Sequence, residues 1–148
     1  MSSAWYYFIM VIHGDCMVEE IKKLLAEMHE TTYYGRFDFS VEKSMEYIEK
    51  LIGANQFVYV DNGVMMLGTC SVCWFGSDKV ANDVLLYVSK DKRGKGLAKK
   101  AVSAFVEWSE LKGAKALFIG QTTGVNTESF RSLAGNSGFK QAGSVFVR

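Results

Sequence analysis

The sequence predicts an α+β domain, a central mixed and mostly antiparallel sheet flanked by helices. Two strand-like runs, residues 56–60 and 64–74, stand on either side of Asn62-Gly63, a dipeptide typical of a tight hairpin. Apolar residues at helical spacing occupy two stretches before the hairpin and one after it. An apolar run at residues 83–88 precedes that last helical stretch, and another short apolar run follows it, which indicates a strand-helix-strand crossover.

The elements before the hairpin are a strand and two helices. Residues 4–12 are rich in aromatic and β-branched residues and predict a first strand. Apolar residues from Met17 to Met28 recur at helical spacing and predict an amphipathic helix. A second helix is expected from its N-cap Ser40 to Gly53.

The elements that follow the hairpin complete the sheet. Residues 75–79 read as a turn, and residues 83–88 as a central strand buried on both faces. A helix is expected over residues 96–112, with Gly113 as its stop, and a short strand over residues 116–119.

The chain is expected to close with a short helix and a last strand. Residues 128–133 predict the helix, and residues 139–147 predict the strand. Residues 134–138 contain two glycines and are expected to be irregular. The predicted order is therefore β-α-α-β-β-β-α-β-α-β.

Composition favours one globular domain over residues 1–148. The chain has 148 residues, 49% of them hydrophobic and 22% charged, which disfavours disorder. The 17 Lys and Arg nearly balance the 16 Asp and Glu, and the net charge of +1 argues against a nucleic-acid partner. Proline is absent, so no proline-rich linker divides the chain.

The expected location is the cytoplasm. The apolar stretch at residues 4–12 is too short to span a membrane and lacks the pattern of a signal peptide, so no membrane partner is expected. Three cysteines, an odd number, favour a reducing compartment. Cys70 and Cys73 form a C-x-x-C pattern without a second Cys/His pair at zinc spacing, so buried thiols are favoured over a metal site.

A basic loop follows the apolar run at residues 83–88. Residues 90–100 carry six cations and one anion, and they include Gly94 and Gly96. Backbone N–H groups at a helix start, together with these cations, favour a phosphate-bearing ligand. The alternative is that the lysines are simply solvated. The loop matches neither the Walker pattern nor the dinucleotide-binding glycine pattern.

The letters of this loop fit a different pattern, V-x-x-x-x-R-x-x-G-x-[GA], through Val88, Arg93, Gly96 and Ala98. The pattern resembles the acetyl-coenzyme A loop of the GNAT N-acetyltransferase superfamily. The resemblance extends to the N-terminal helices, the hairpin and the Gly138-Phe139 pair. It implies the GNAT fold, with acetyl-coenzyme A (acetyl-CoA) as the acyl donor.

The resemblance also implies which residues hold the coenzyme. Main-chain groups of Leu86, Tyr87 and Val88 would pair with its pantetheine arm, where a bulge splays two strands apart. Asn126 matches a residue that commonly contacts the same arm, although it could instead cap a helix. The pyrophosphate would be bound by backbone N–H groups of the loop, comprising Arg93, Gly94, Lys95, Gly96, Leu97 and Ala98.

The implied reaction is attack by an amine on a thioester. A lysine-like amine has a pKa of about 10.4 and is protonated at neutral pH, so a base must assist. Asp83 aligns with an acidic residue of similar family members and is the candidate base, the alternative being a solvated strand-edge carboxylate. A main-chain N–H near Val88 would stabilise the oxyanion.

One position departs from the family pattern. Many members carry a tyrosine that is proposed to protonate the leaving thiolate, and Ala134 stands at the aligned position here. Because a thiol with a pKa near 8.5 is a tolerable leaving group, this acid is helpful but dispensable. A non-catalytic acyl-CoA-binding module therefore remains an alternative.

The acceptor site has several candidate residues. Glu30 and His29 could meet a cationic amine. Aromatic side chains could line an acceptor groove or serve as core and turn residues, namely Tyr33, Tyr34, Phe37, Trp74 and Phe75. The expected partner is an amine-bearing acceptor, with a homodimer as one option for assembly. A small nucleic-acid binder that uses the basic loop is the third alternative.

Overall fold

The computed structural model describes residues 15–121 and 127–148, so the strand predicted at residues 4–12 lies outside the described residues. The first described elements are two helices and a 3₁₀ turn: α1 is Asp15–Thr31, the turn is Tyr33–Arg36, and α2 is Val41–Gly53. Both predicted helices are confirmed. Ser40 is the N-cap of α2, since its Oγ accepts a hydrogen bond from the Lys43 N–H at 3.2 Å.

The sheet contains four described strands. They are β1 (Phe57–Asp61), β2 (Val64–Val72), β3 (Lys79–Val88) and β4 (Ala114–Phe118), in the spatial order β1-β2-β3-β4. β1, β2 and β3 are antiparallel neighbours, whereas β4 runs parallel to β3. The predicted mixed, mostly antiparallel sheet is confirmed.

The predicted hairpin joins β1 to β2. Asp61 pairs with Val64, which leaves Asn62 and Gly63 as the two turn residues. Both have positive φ angles, 32° and 101°, as a type I′ turn requires.

The predicted crossover is also present. Helix α3 (Leu97–Leu111) connects β3 to the parallel strand β4. Gly113 follows the helix in the left-handed region, with a φ of 79°, as expected for a helix stop. β4 begins two residues before the predicted strand.

The last two predicted elements need correction. Helix α4 (Thr127–Asn136) includes Ala134, Gly135 and Asn136, which were expected to be irregular. Its end is closed by hydrogen bonds from Phe139 N to Ala134 O (2.9 Å) and from Ser137 N to Leu133 O (3.0 Å). The second bond continues the helical hydrogen bonding, whereas the first caps the helix around Gly138, whose φ of 87° lies in the left-handed region. Together they outweigh the weak helix propensity of one glycine.

The strand predicted over residues 139–147 is wrong. This segment has no regular structure, and Val145, Phe146 and Val147 are 79%, 91% and 70% exposed. Alternating apolar residues form a strand only when another strand supplies backbone partners. None of the described strands pairs with this segment.

Two apolar clusters cover the two faces of the sheet. On one face, α1 and α2 bury Ile21, Leu24 and Ile48 against β1 and β2. On the other face, α3 buries Phe105 and Trp108 against the sheet. The helices thus sandwich the sheet and leave its strand ends available for a site.

A β-bulge interrupts β3 opposite β2. Leu85 pairs with Leu67 and Asp83 with Gly68, so Val84 has no partner of its own. Ala81 consequently belongs to the α3 cluster, whereas Leu85 packs against the α1–α2 cluster, although residues four apart in a regular strand share a face.

The prediction that residues 83–88 are buried on both faces is wrong, because Tyr87 is the only fully buried residue of this run. Asp83, Leu85 and Leu86 are half-buried, and Val84 is 45% exposed. The strand is central in the sheet, but no element covers this stretch completely, and it borders a cavity.

Candidate active site

β3 and β4 separate midway along β3. Their pairing extends only from Lys79 with Ala114 to Asn82 with Phe118, while β3 continues to Val88. Beyond Asn82, the main-chain groups of β3 therefore no longer pair with those of the segment that follows Phe118. This divergence, next to the bulge, agrees with the splayed strands that the sequence resemblance implies.

Asp83 stands at the point of divergence. Its two carboxylate oxygens accept hydrogen bonds from the Gly120 N–H, at 3.1 and 3.2 Å. Burial raises the pKa of Asp83 to about 6, against the opposing effect of the hydrogen bonds from Gly120 and from its own N–H. A carboxylate with this pKa is mainly ionised at neutral pH and accepts a proton more readily than an ordinary aspartate.

A cavity of about 390 Å³ lies beside Asp83. α1 and α2 form one wall, β3 forms another, and Gly120, Gln121 and Phe130 complete it. Most of its lining is apolar or aromatic: Leu25, Met28, Tyr34, Tyr47, Ile48, Leu67, Val84, Leu85, Leu86 and Phe130. The cavity is large enough for a small organic molecule with its reacting group near Asp83.

The basic loop lies at the far end of β3. After a 3₁₀ turn (Lys90–Lys92), the chain passes through Gly94 and Gly96, whose φ angles of 79° and 77° favour glycine. Gly96 is the N-cap of α3, and no side chain caps this helix start. The first N–H groups of α3, at Leu97 and Ala98, therefore have no side-chain cap and are available to a phosphate.

A carboxylate of α1 fixes the start of this loop. Glu27 accepts hydrogen bonds from the Tyr87 hydroxyl (3.0 Å) and the Lys90 N–H (2.8 Å). It also lies 3.0 Å from the Ser89 hydroxyl, whose single proton is shared with Asp91 Oδ1 at 2.6 Å. The Tyr87 hydroxyl also lies 3.0 Å from Thr31 Oγ1. α1 is therefore joined to the end of β3 and to the loop by one cluster of polar contacts.

The charge of Glu27 is stabilised by these donors. Burial raises the pKa of Glu27, but the hydrogen bonds from Lys90, Ser89 and Tyr87 outweigh that effect and hold it below its usual value. Sequence reasoning missed this residue. The available signal was weak, a carboxylate three positions after the core residue Leu24 on a predicted amphipathic helix.

Arg93 folds back onto the strand that precedes it. Its Nε donates to the Val88 carbonyl at 3.1 Å, and its guanidinium lies 5.6 Å from the centre of the Tyr87 ring. The predicted loop residue Arg93 thus contacts two of the predicted strand residues. The structure brings together residues 86–98 of the predicted coenzyme site, and Asn126 lies outside the described residues.

The candidate acceptor residues divide into two groups. Tyr34 lines the cavity, but Trp74 and Phe75 are 93% and 76% exposed and stack edge to face on the surface. His29 Nε2 contacts the Phe37 carbonyl at 2.7 Å, and its ring stacks on Phe39. These contacts give His29 a structural role within the fold.

Other predicted candidates lie away from the cavity. Neither His29 nor Glu30 contributes to the described cavity lining. Tyr33 holds the Arg36 guanidinium 3.7 Å from its ring centre. The residues that sequence reasoning missed are Tyr47 on α2 and Phe130 on α4, both of which line the cavity.

Ala134 lies on α4, one helical turn after Phe130. Its methyl side chain supplies no proton donor, so the departure from the family pattern stands in the folded chain.

Cys70 and Cys73 are free thiols, and the described residues contain no group of three His, Cys, Asp or Glu side chains that could hold a metal ion. Within the same ranges, no helix is long and apolar enough to cross a membrane.

Residues 15–139 match the family model described as the Acetyltransferase (GNAT) family. The chain belongs to this family. The match spans α1 to the end of α4, and therefore includes Asp83, the loop and the cavity. No curated protein matches the sequence.

Solved structures share the GNAT fold at low identity. AAC(6')-Iy, in complex with the bisubstrate analog CoA-S-monomethyl-acetylneamine, has a TM-score of 0.66 and 15% identity, covering 90% of this chain and 91% of that chain. Glucosamine-6-phosphate N-acetyltransferase from Arabidopsis thaliana has a TM-score of 0.66 and 13% identity, with coverage of 88% and 90%. Aminoglycoside antibiotic 6'-N-acetyltransferase AAC(6')-IG from Acinetobacter haemolyticus has a TM-score of 0.60 and 12% identity, with coverage of 88% and 91%.

Proposed function

We propose that this GNAT protein transfers an acetyl group from acetyl-CoA to a primary amine. The observation that carries the proposal is the position of Asp83. It lies where β3 leaves β4, beside the cavity, and five residues before the strand end that leads into the cationic loop. One strand therefore connects a candidate base to a candidate phosphate site.

The coenzyme fits the chemistry of this strand end. Free N–H groups at the start of α3 and the cations of residues 90–100 suit a pyrophosphate. Beyond Asn82, β3 no longer pairs with β4, so the edge of residues 86–88 that faces away from β2 suits the amide groups of a pantetheine arm. AAC(6')-Iy, a structural neighbour, is described with a CoA analog bound, which supports the same ligand class here.

The reaction then uses the residues as follows. Asp83 accepts one proton from the ammonium group of the acceptor and passes it to solvent. The neutral nitrogen forms a bond to the thioester carbonyl carbon while a main-chain N–H near Val88 donates to the oxygen. The carbon–sulfur bond breaks, and the leaving thiolate takes the second amine proton.

The chain's own residues do not name the acceptor. Two of the structural neighbours are an aminoglycoside acetyltransferase and a glucosamine-6-phosphate acetyltransferase, but identities of 12% and 13% carry only the fold. The proposed substrate class at this stage is a primary amine of a small molecule, peptide or protein.

A second candidate function is a non-catalytic acyl-CoA-binding module. Ala134 favours it, because this position lacks the tyrosine that many family members carry. The two candidates share the coenzyme site and differ only in whether an amine is acetylated.

Calorimetry with acetyl-CoA and a free-thiol assay with an amine panel test both candidates. Saturable binding with amine-dependent thiol release supports the acetyltransferase. Binding without amine-dependent release across the panel would favour the module. Absence of binding would overturn both and leave the nucleic-acid alternative, which predicts steeply salt-dependent affinity for DNA or RNA.

A further inference from the structure

The charged groups that line the cavity beside Asp83 limit the ligands that it can receive. Among its described lining residues, Asp83 is the one carboxylate, and none is Lys, Arg or His. The other polar lining groups are three hydroxyls and one amide, from Ser44, Tyr34, Tyr47 and Gln121. The lining can therefore neutralise a single ammonium group.

The rest of the wall is suited to an apolar body. Leu25, Met28 and Ile48 approach from the helices, and Leu67, Val84 and Leu85 from the sheet. Aromatic rings come from both sides of the fold, Tyr34 and Tyr47 from the helical layer and Phe130 from α4. Apolar and aromatic walls of this kind favour a ligand whose carbon skeleton loses water on binding.

Additional charges on the ligand would be unfavourable in this cavity. A second ammonium group would lose hydration without a second carboxylate, and a phosphate would enter without a cationic partner. The cations of residues 90–100 belong to the loop at the other end of β3 and are absent from the described lining. The cavity thus discriminates by charge as well as by size.

We propose that the acceptor is a small monoamine with an uncharged, apolar body, such as an aryl-alkyl or branched alkyl amine. Its amino group faces Asp83, and its carbon skeleton lies among Tyr34, Tyr47 and Phe130. The proposal rests on the proposed acetyl transfer and narrows its acceptor. Polyamines, phosphorylated amines and lysine side chains of acidic peptides are correspondingly poor acceptors.

A matched acceptor set tests the selectivity through kcat/KM in the thiol-release assay. We expect 2-phenylethylamine and isopentylamine to exceed spermidine and O-phosphoethanolamine by at least about tenfold. If spermidine or O-phosphoethanolamine equals or exceeds the monoamines, the proposal is overturned while acetyl transfer stands. If no amine is acetylated, the proposed function fails, and ligand-observed NMR of 2-phenylethylamine with the acetyl-CoA-loaded protein decides the cavity's preference separately.

That NMR measurement has two outcomes. If 2-phenylethylamine binds and spermidine does not, the result supports the apolar monoamine site even though no amine is acetylated. Absence of 2-phenylethylamine binding at millimolar concentration overturns it.

A variant that adds a carboxylate sharpens the test. Tyr47 is 43% exposed at the cavity, so Tyr47→Glu introduces a second acidic group at low risk to folding. We expect it to raise the kcat/KM ratio of 1,5-diaminopentane to isopentylamine about tenfold. Lys43→Gln makes the same net charge change on the exposed side of α2, outside the described lining, and should leave the ratio unchanged. An unchanged ratio in Tyr47→Glu would contradict the assignment.

Discussion

The two ends of the site on β3 are built in opposite ways. At the loop end, Glu27, Tyr87 and Ser89 form a dense set of hydrogen bonds that joins α1 to the strand. At the divergence end, the Asp83 carboxylate is hydrogen-bonded, among the described residues, only by the N–H groups of Gly120 and of Asp83 itself, and it borders an open cavity. A rigid loop suits a ligand of constant shape such as a coenzyme, whereas a cavity lined by apolar side chains suits a variable acceptor.

The pKa values follow the same division. Several donors at the loop end hold the pKa of Glu27 below its usual value, although burial alone would raise it. At the open end, burial prevails and raises the pKa of Asp83 to about 6. Asp83 is more deeply buried than Glu27 and has fewer hydrogen-bond donors, and these two differences together make Glu27 a fixed anion and allow Asp83 to exchange a proton.

The largest expected effect comes from removing the base at the open end. Asp83→Asn should lower kcat by about 100-fold or more, because general-base catalysis contributes on that order. The affinity for acetyl-CoA, measured by calorimetry, should change little. In the wild type, kcat/KM should fall as the pH drops below about 6, where Asp83 is protonated.

Asp78 provides the control for this variant. It is an exposed carboxylate, 3.3 Å from Lys115 Nζ, outside the described cavity lining. Asp78→Asn should retain wild-type turnover. Equal turnover of Asp83→Asn and the wild type from pH 5 to 9 would exclude Asp83 as the base.

The next largest effect concerns the packing beneath the bulge. A Cβ added to Gly68, which pairs with Asp83, would lie 2.6 Å from Phe105 Cε2 and 3.2 Å from the Asn82 carbonyl oxygen. Gly68→Ala should therefore lower the free energy of unfolding by about 1–3 kcal/mol. Chemical denaturation measures this change.

Gly53→Ala is the matched substitution, because a Cβ there has no neighbouring atom within 4 Å. Its unfolding free energy should stay within about 0.5 kcal/mol of the wild type. If Gly68→Ala is as stable as Gly53→Ala, the open end of β3 is not closely packed against α3. The looser structure of this end would then include the α3 face of the sheet as well as the cavity.

At the loop end, Glu27→Gln should weaken acetyl-CoA binding about tenfold, equivalent to about 1.4 kcal/mol, the loss of a charge-assisted contact. Because Glu27 acts through the loop and not on the reacting atoms, KM for acetyl-CoA should rise while kcat stays near the wild-type value. Since its pKa is lowered in the folded state, the stability it contributes is present above the ordinary pKa of 4.5 and is lost as the pH falls below it.

Glu30→Gln is the control, because it changes an exposed carboxylate near the end of the same helix, α1. It should leave KM for acetyl-CoA unaltered. A parallel fall in kcat for Glu27→Gln would indicate that the loop end and the open end do not act independently.

The smallest effect belongs to the surface cations of the loop. Lys99 is exposed in the first turn of α3, so Lys99→Gln should weaken acetyl-CoA binding about two- to fivefold at low salt. The difference should disappear near 1 M salt, where the Debye length is about 3 Å. Lys50→Gln, on α2, is the control and should leave acetyl-CoA binding unchanged. A salt-independent loss would contradict a purely electrostatic role.

Local sequence signals predicted the elements that local chemistry decides. Asn62-Gly63 predicted the hairpin because few dipeptides adopt positive φ at both positions, and Ser40 predicted the start of α2 through its N-cap bond. The apolar alternation at Val145 and Val147 predicted a strand wrongly, because strand formation depends on a partner that a local pattern cannot reveal.

The candidate site shows the same division. The loop pattern from Val88 to Ala98 and the acidic residue Asp83 could be identified from the sequence through the family resemblance. Glu27 could not, because its partners Tyr87 and Lys90 lie 60 and 63 positions away along the chain. Contacts at that separation exist only after α1 packs against the end of β3.

The sequence by itself thus determined the order of the helices and strands between residues 15 and 136, the turn chemistry and the cationic helix start, since these depend on neighbours within a few residues. Only the tertiary structure decided that β3 bulges at Val84, that Asp83 acquires a raised pKa, and that Asp83 is the single carboxylate among the described residues that line the adjoining cavity. The physical reason is that pairing register, burial and cavity shape are sums over residues distant in sequence, and burial in particular sets the energy of a charge.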